Sequence, residues 1–260
     1  MDLSERHIPG KRTIFPYYLA AALSLVIISV MTLLSVTEFK GHFFQPHLLA
    51  ITHLTVFGWG TMIILGASNQ LMPVITDQKL YSDKLPIAGF VLLTLGTCLL
   101  VHCFWKFDLG TPIFVGAFSV LTALILHSAN IFVTASKSPL KKITVDFILT
   151  AHIWLILTAA IGITLLFNFR FGFLPAEHLH YLKIHATAGM VGWFLLLVIG
   201  VSSRLIPMFL LSRNEVKIYL TVAYYLINAA LLSFLIEGMI FRSSHGYLIY
   251  IVLISGGILS

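Results

Sequence analysis

The sequence predicts an all-α membrane protein: eight transmembrane helices arranged as two parallel four-helix repeats, with the N-terminus cytoplasmic. Three observations carry this reading. Charge is scarce, apolar runs long enough to cross a bilayer follow one another along the chain, and a pattern of residues recurs at a constant offset. Of 260 residues, 58% are hydrophobic and 10% charged, with mean hydropathy +0.97. A soluble domain carries about 25% charged residues, so an ordinary soluble fold is excluded. The excess of 16 Lys and Arg over 10 Asp and Glu sits in short clusters between apolar runs. No basic stripe with interleaved aromatics emerges, so membrane lipid is the expected partner and nucleic acid is not.

Stretches free of Asp, Glu, Lys and Arg cover residues 13–37, 41–76, 85–105, 109–136, 147–169, 184–203, 218–236 and 243–260. A helix needs about 20 apolar residues to cross a ~30 Å hydrocarbon core. Unpaired strands in lipid would leave backbone groups unsatisfied, so each stretch reads as a helix. The first is preceded by Arg6, Lys11 and Arg12, but its 25 residues are too many for a signal-peptide core, and it reads as a retained span. With the N-terminus inside, eleven Lys and Arg fall on the cytoplasmic side and five (Lys40, Lys106, Arg170, Lys183, Arg242) outside. That distribution obeys the positive-inside rule. The last stretch stops at Ser260 without a flanking charge, so the chain is expected to be truncated there.

Gly58-Trp59, Gly66, Ser68, Leu71 and Pro73 of the second span match Gly192-Trp193, Gly200, Ser202, Leu205 and Pro207 of the sixth, always 134 positions apart. The same offset brings the other spans into phase. Four is an even number of crossings, so the repeats are parallel: residues 1–138 form the first and 139–260 the second.

Eleven histidines are many for a chain this poor in charge. On the topology above, His42, His47, His53, His102, His178, His180, His185 and His245 lie toward the outer face. Intramembrane ionisable groups are costly and mark function, and neutral imidazole is the commonest metal ligand. His53, Phe57 and Gly60 share a helical face at spacings of four and seven, as do His185, Gly189 and Gly192. Such a face leaves a flat slot for a planar macrocycle, while small residues at these spacings also let helices pack closely. His178 and His180 form an HxH at the start of the sixth span. Cys98 and His102, four apart on the third, suit copper or zinc as a pair. His42 and His47, flanking Gln45-Pro46, read as solvated loop residues. His152 and His127 read as interhelical hydrogen-bonding groups. The sequence holds no phosphate loop, HExxH or CxxCH motif.

The segments HLTVFGWGTMIILGASNQLMPVI (53–75) and HATAGMVGWFLLLVIGVSSRLIPMFLLS (185–212) resemble the short subunit-I-like membrane proteins of bacteria in the haem-copper oxidase superfamily. That resemblance implies a bacterial inner-membrane protein binding b-type haem. It also implies electron transfer to O₂ or NO in a respiratory chain, a periplasmic cytochrome c or other donor, and further oxidase subunits. His53 falls where the family has an axial ligand of the low-spin haem, and His185 near a copper ligand. The pattern departs at Gly189, where many members have Tyr, and at 218–236, which lacks the family's adjacent copper-binding histidines. The family's remaining haem ligands lie on a tenth helix, and this chain ends at an eighth. Catalytic residues are therefore not assigned. The alternative reading is a non-catalytic copper-handling or haem-sensing membrane protein, with His178, His180, His185, Cys98 and His102 as metal ligands.

Overall fold

The computed structural model of the chain describes residues 9–42, 44–139, 142–211, 217–241 and 247–259. Helices account for every regular element among them, with no strand. Seven helices are long and apolar enough to cross a membrane: α1 (Lys11–Leu34), α2 (Pro46–Thr76), α3 (Lys84–Lys106), α4 (Thr111–Ser136), α5 (Ile143–Phe171), α6 (His178–Phe209) and α7 (Lys217–Met239). The chain is a multi-pass helical membrane protein. An eighth helix, α8 (Tyr247–Leu259), has 13 described residues. At 1.5 Å per residue these reach about 20 Å, short of a ~30 Å core. His7, Lys141, Arg213, Arg242 and His245 lie outside the described residues.

Several helices run past the charges that bounded the apolar stretches. α5 takes in Asp146 and Arg170, and α6 takes in Lys183 and Arg204. Long basic side chains near a helix end carry their charge toward the interface while the backbone stays helical, so charge-free length underestimates helix length. Pro73 and Pro207 lie within the last turn of α2 and α6.

The chain divides into two compact units, Met1–Pro139 and Leu140–Ser260. In the first, α3 and α4 cross backbone to backbone. A Cβ on Gly96 would stand 2.8 Å from the Gly116 carbonyl oxygen, and one on Gly116 would stand 3.1 Å from that of Gly96. Only glycine at both positions permits that approach. Tyr17 of α1 is fully buried, donates its hydroxyl to the Pro86 carbonyl at 2.7 Å and meets Phe90 edge-on at 5.3 Å. Asn130 of α4 grips the α2–α3 loop, accepting from Ser82 N at 2.9 Å and donating to Ser82 O at 3.1 Å. Tyr81 N donates to Thr134 Oγ1 at 3.0 Å, and Ser138 Oγ to Thr76 O at 2.9 Å.

In the second unit α5 is the hub. Phe147 meets Tyr224 of α7 edge-on at 5.2 Å, Thr150 and Tyr224 share a 2.7 Å hydroxyl bond, and Trp154 donates Nε1–H to Asn228 Oδ1 at 3.1 Å. Gly200 of α6 backs onto Phe147 and Ile148, and Gly257 of α8 onto Ile227.

Two long helices carry a wide π turn, Leu54–Thr61 in α2 and Ala188–Leu195 in α6. Leu54 to Ala188 and Thr61 to Leu195 are each 134 positions, the offset that relates the two Gly-Trp pairs. A third π turn, Glu237–Phe241, follows Ile236. Turns closed by i→i+5 bonds are rare and recur at functional sites.

Candidate functional site

The π turn of α2 begins at the residue after His53. His53 is half-buried and sits in the last α-helical turn before it. Its Nδ1–H donates to the Leu49 carbonyl at 2.8 Å, one turn back. That bond fixes the tautomer and leaves the lone pair on Nε2. Nε2 makes no hydrogen bond among the described residues. The ring is held by Phe104 of α3 at 4.6 Å and by Phe57 at 6.0 Å. Gly60, farther along the π turn, is open: a Cβ there would meet only its own helix, at Thr55 O, 3.5 Å away. The seven-residue spacing that aligns His53 with Gly60 on an α-helix does not carry through a turn closed by i→i+5 bonds.

His185 has the opposite surroundings. Its Nδ1–H donates to the Thr158 carbonyl of α5 at 3.0 Å, and its Cε1 would lie 2.9 Å from a Cβ on Gly162. The imidazole is therefore seated on α5 at a position only glycine can occupy. The two glycines beyond it also face α5: a Cβ on Gly189 would stand 3.2 Å from Thr158 Cγ2, and one on Gly192 would stand 2.7 Å from the Trp154 ring. The face carrying His185, Gly189 and Gly192 is filled by a helix, and its small residues serve close packing.

The HxH pair divides its contacts. His178 lies on Phe169 at 4.0 Å and accepts from Asn168 Nδ2 at 3.4 Å. His180 donates Nε2–H to Gly238 O, in the π turn after Ile236, at 2.8 Å. Both tie the start of α6 to neighbouring helix ends. On α3, Cys98 and His102 are exposed, whereas Cys103 is buried. Among the described residues no three His, Cys, Asp or Glu side chains converge on a metal-sized space. His127 and His152 are fully buried, and His152 donates Nδ1–H to its own Ile148 carbonyl at 2.7 Å.

His47 belongs to α2, at the second residue of the helix, where a solvated loop position was expected. Its Nδ1–H donates to the Glu38 carboxylate, and its ring stacks on Trp105 of α3 at 4.0 Å and 26°. Pro46, pre-set for the first helical position, is the sequence signal for that helix start. The partner, nine residues earlier on the 3₁₀ turn Glu38–Lys40, leaves no local pattern. No known family model, curated protein or solved structure matches the chain.

Proposed function

We propose that the protein is a haem-binding integral membrane protein of the cytochrome c oxidase subunit I type, with His53 as an axial ligand of a b-type haem. The observation that carries this reading is the state of the His53 ring. Its Nδ1–H is committed to Leu49 O, and Nε2 keeps its lone pair without a protein partner. An imidazole so oriented fits axial ligation, because the second-shell bond sets the tautomer and raises the basicity of the ligating nitrogen. Phe104 and Phe57 flank the ring with apolar side chains. Haem bound there supplies a one-electron redox centre within the membrane.

The matching offsets of the π turns and of the Gly-Trp pairs support two tandem four-helix units, with α8 in the second. The distribution of Lys and Arg favours a cytoplasmic N-terminus, and the resemblance implies a bacterial inner membrane. His53 then faces the periplasmic side, where cytochrome c or another donor supplies electrons. Transfer onward to O₂ or NO is the respiratory role this arrangement fits. His185, engaged with α5 through Thr158 and Gly162, serves unit packing in this reading.

The test is expression with haem supply, purification, and an absorption spectrum. Wild type and His185→Ala give a Soret band, and His53→Ala loses it. Haem-free wild-type protein, or a His53→Ala variant with an unchanged band, sinks the assignment. Elemental analysis of the same sample reads bound copper independently.

A further inference from the structure

The two histidines of the first turns of α2 are gripped by two consecutive side chains of α3. Trp105 stacks on His47 at 4.0 Å, and Phe104 packs on His53 at 4.6 Å. The same His47 ring holds the Glu38 carboxylate on the connection from α1. We propose that Glu38, His47 and Trp105 form a clamp of positioning residues that fixes the rotation of residues 46–53 and so presents His53 Nε2. This inference rests on the reading of His53 as a ligand.

The physical case is that His53 has no anchor of its own outside its helix besides ring contacts. Its hydrogen bond returns to Leu49 on the same helix, so it fixes the ring relative to α2 and not α2 relative to the unit. The helix stops being α-helical at the next residue, where the π turn begins. Residues 46–53 are the N-terminal end of α2 and run directly into the π turn, whose wider winding changes the rotational register between this end and the rest of the helix. Tertiary contacts at this end therefore act together with helical continuity in setting its rotation. His47 supplies two at once, a charge-assisted hydrogen bond to one segment and an aromatic stack to another. The α3 end of the clamp is itself pinned. Phe107 takes the left-handed conformation at φ 51°, and Asp108 N closes onto Cys103 O at 2.8 Å, so Phe104 and Trp105 sit in a terminated last turn.

The experiment uses the full chain in nanodiscs and the rate at which diethyl pyrocarbonate modifies each histidine, read by peptide mass spectrometry. It needs no haem. Glu38→Gln and Trp105→Leu change the His53 rate by about two- to tenfold, the factor expected from losing a contact of this class. His178, in the other unit, keeps its rate, and Trp105→Phe, which keeps a stacking ring, restores that of His53. An unchanged His53 rate in both variants overturns the proposal, as does a uniform change at every histidine. In haem-loaded protein the same two variants shift the electron paramagnetic resonance g-values, and Trp105→Phe returns them. A wild type without a Soret band defeats the ligand reading alone, because the modification rates still test the clamp.

Discussion

Gly60 and Gly192 occupy the two corresponding π turns, yet alanine has opposite consequences at them. Either substitution removes about the same freedom from the unfolded chain, on the order of 0.4–1 kcal/mol in favour of the folded state. That contribution cancels when the two variants are compared. What remains is contact. A Cβ on Gly60 meets only Thr55 O at 3.5 Å, an ordinary separation. A Cβ on Gly192 lies 2.7 Å from two Trp154 ring atoms and 3.0 Å from its Cβ. Trp154 is 4% exposed, and its Nε1–H is held by Asn228, so the ring cannot retreat without opening that bond. Overpacking of this kind costs about 1–3 kcal/mol. Gly192→Ala is therefore expected to be less stable than Gly60→Ala by about that amount. Gly189→Ala, which meets a single methyl at 3.2 Å, falls between them. Thermal unfolding and SDS titration of the three variants in one detergent measure the order. Equal stabilities for Gly192→Ala and Gly60→Ala, or the reverse order, would refute the packing role given to Gly192.

Asn228→Leu strands the buried Trp154 Nε1–H and should cost about 1–3 kcal/mol; its effect should be non-additive with Gly192→Ala, since both act through Trp154. Tyr17→Phe removes the hydroxyl bond to Pro86 O and should lower unfolding stability by about 1 kcal/mol. Asn130→Ala removes both bonds to Ser82, so backbone exchange at Tyr81 and Ser82 and chymotryptic cleavage after Tyr81 should accelerate, while exchange at Tyr17 stays protected. Leu211, 88% exposed in a left-handed conformation at φ 51°, is the favourable case: Leu211→Gly should stabilise by about 1 kcal/mol in the same thermal assay.

The helical membrane class was legible because the bilayer imposes it. A run such as 111–136, without one charge, has to be a helix. Helix ends were less legible: Lys183 and Arg204 interrupt the charge-free count but not α6, since basic side chains reach the interface from within a helix. The candidate site was legible in residue type at His53 and illegible in partners. His47 looked like a loop residue because Glu38 and Trp105, nine and 58 positions away, meet it only after the chain folds back.

By itself the sequence determined where apolar runs lie and which Gly-Trp pairs recur, because these depend on composition and spacing alone. Only the tertiary structure decided what each recurrence does. Trp59 is 39% exposed and Trp193 is buried. His53 has a ring nitrogen without a protein partner, whereas His185 is seated on Gly162. Helix rotation makes the difference: it is set by the side chains of neighbouring helices and by the wide turn within each helix, and neither is visible along a single run of residues.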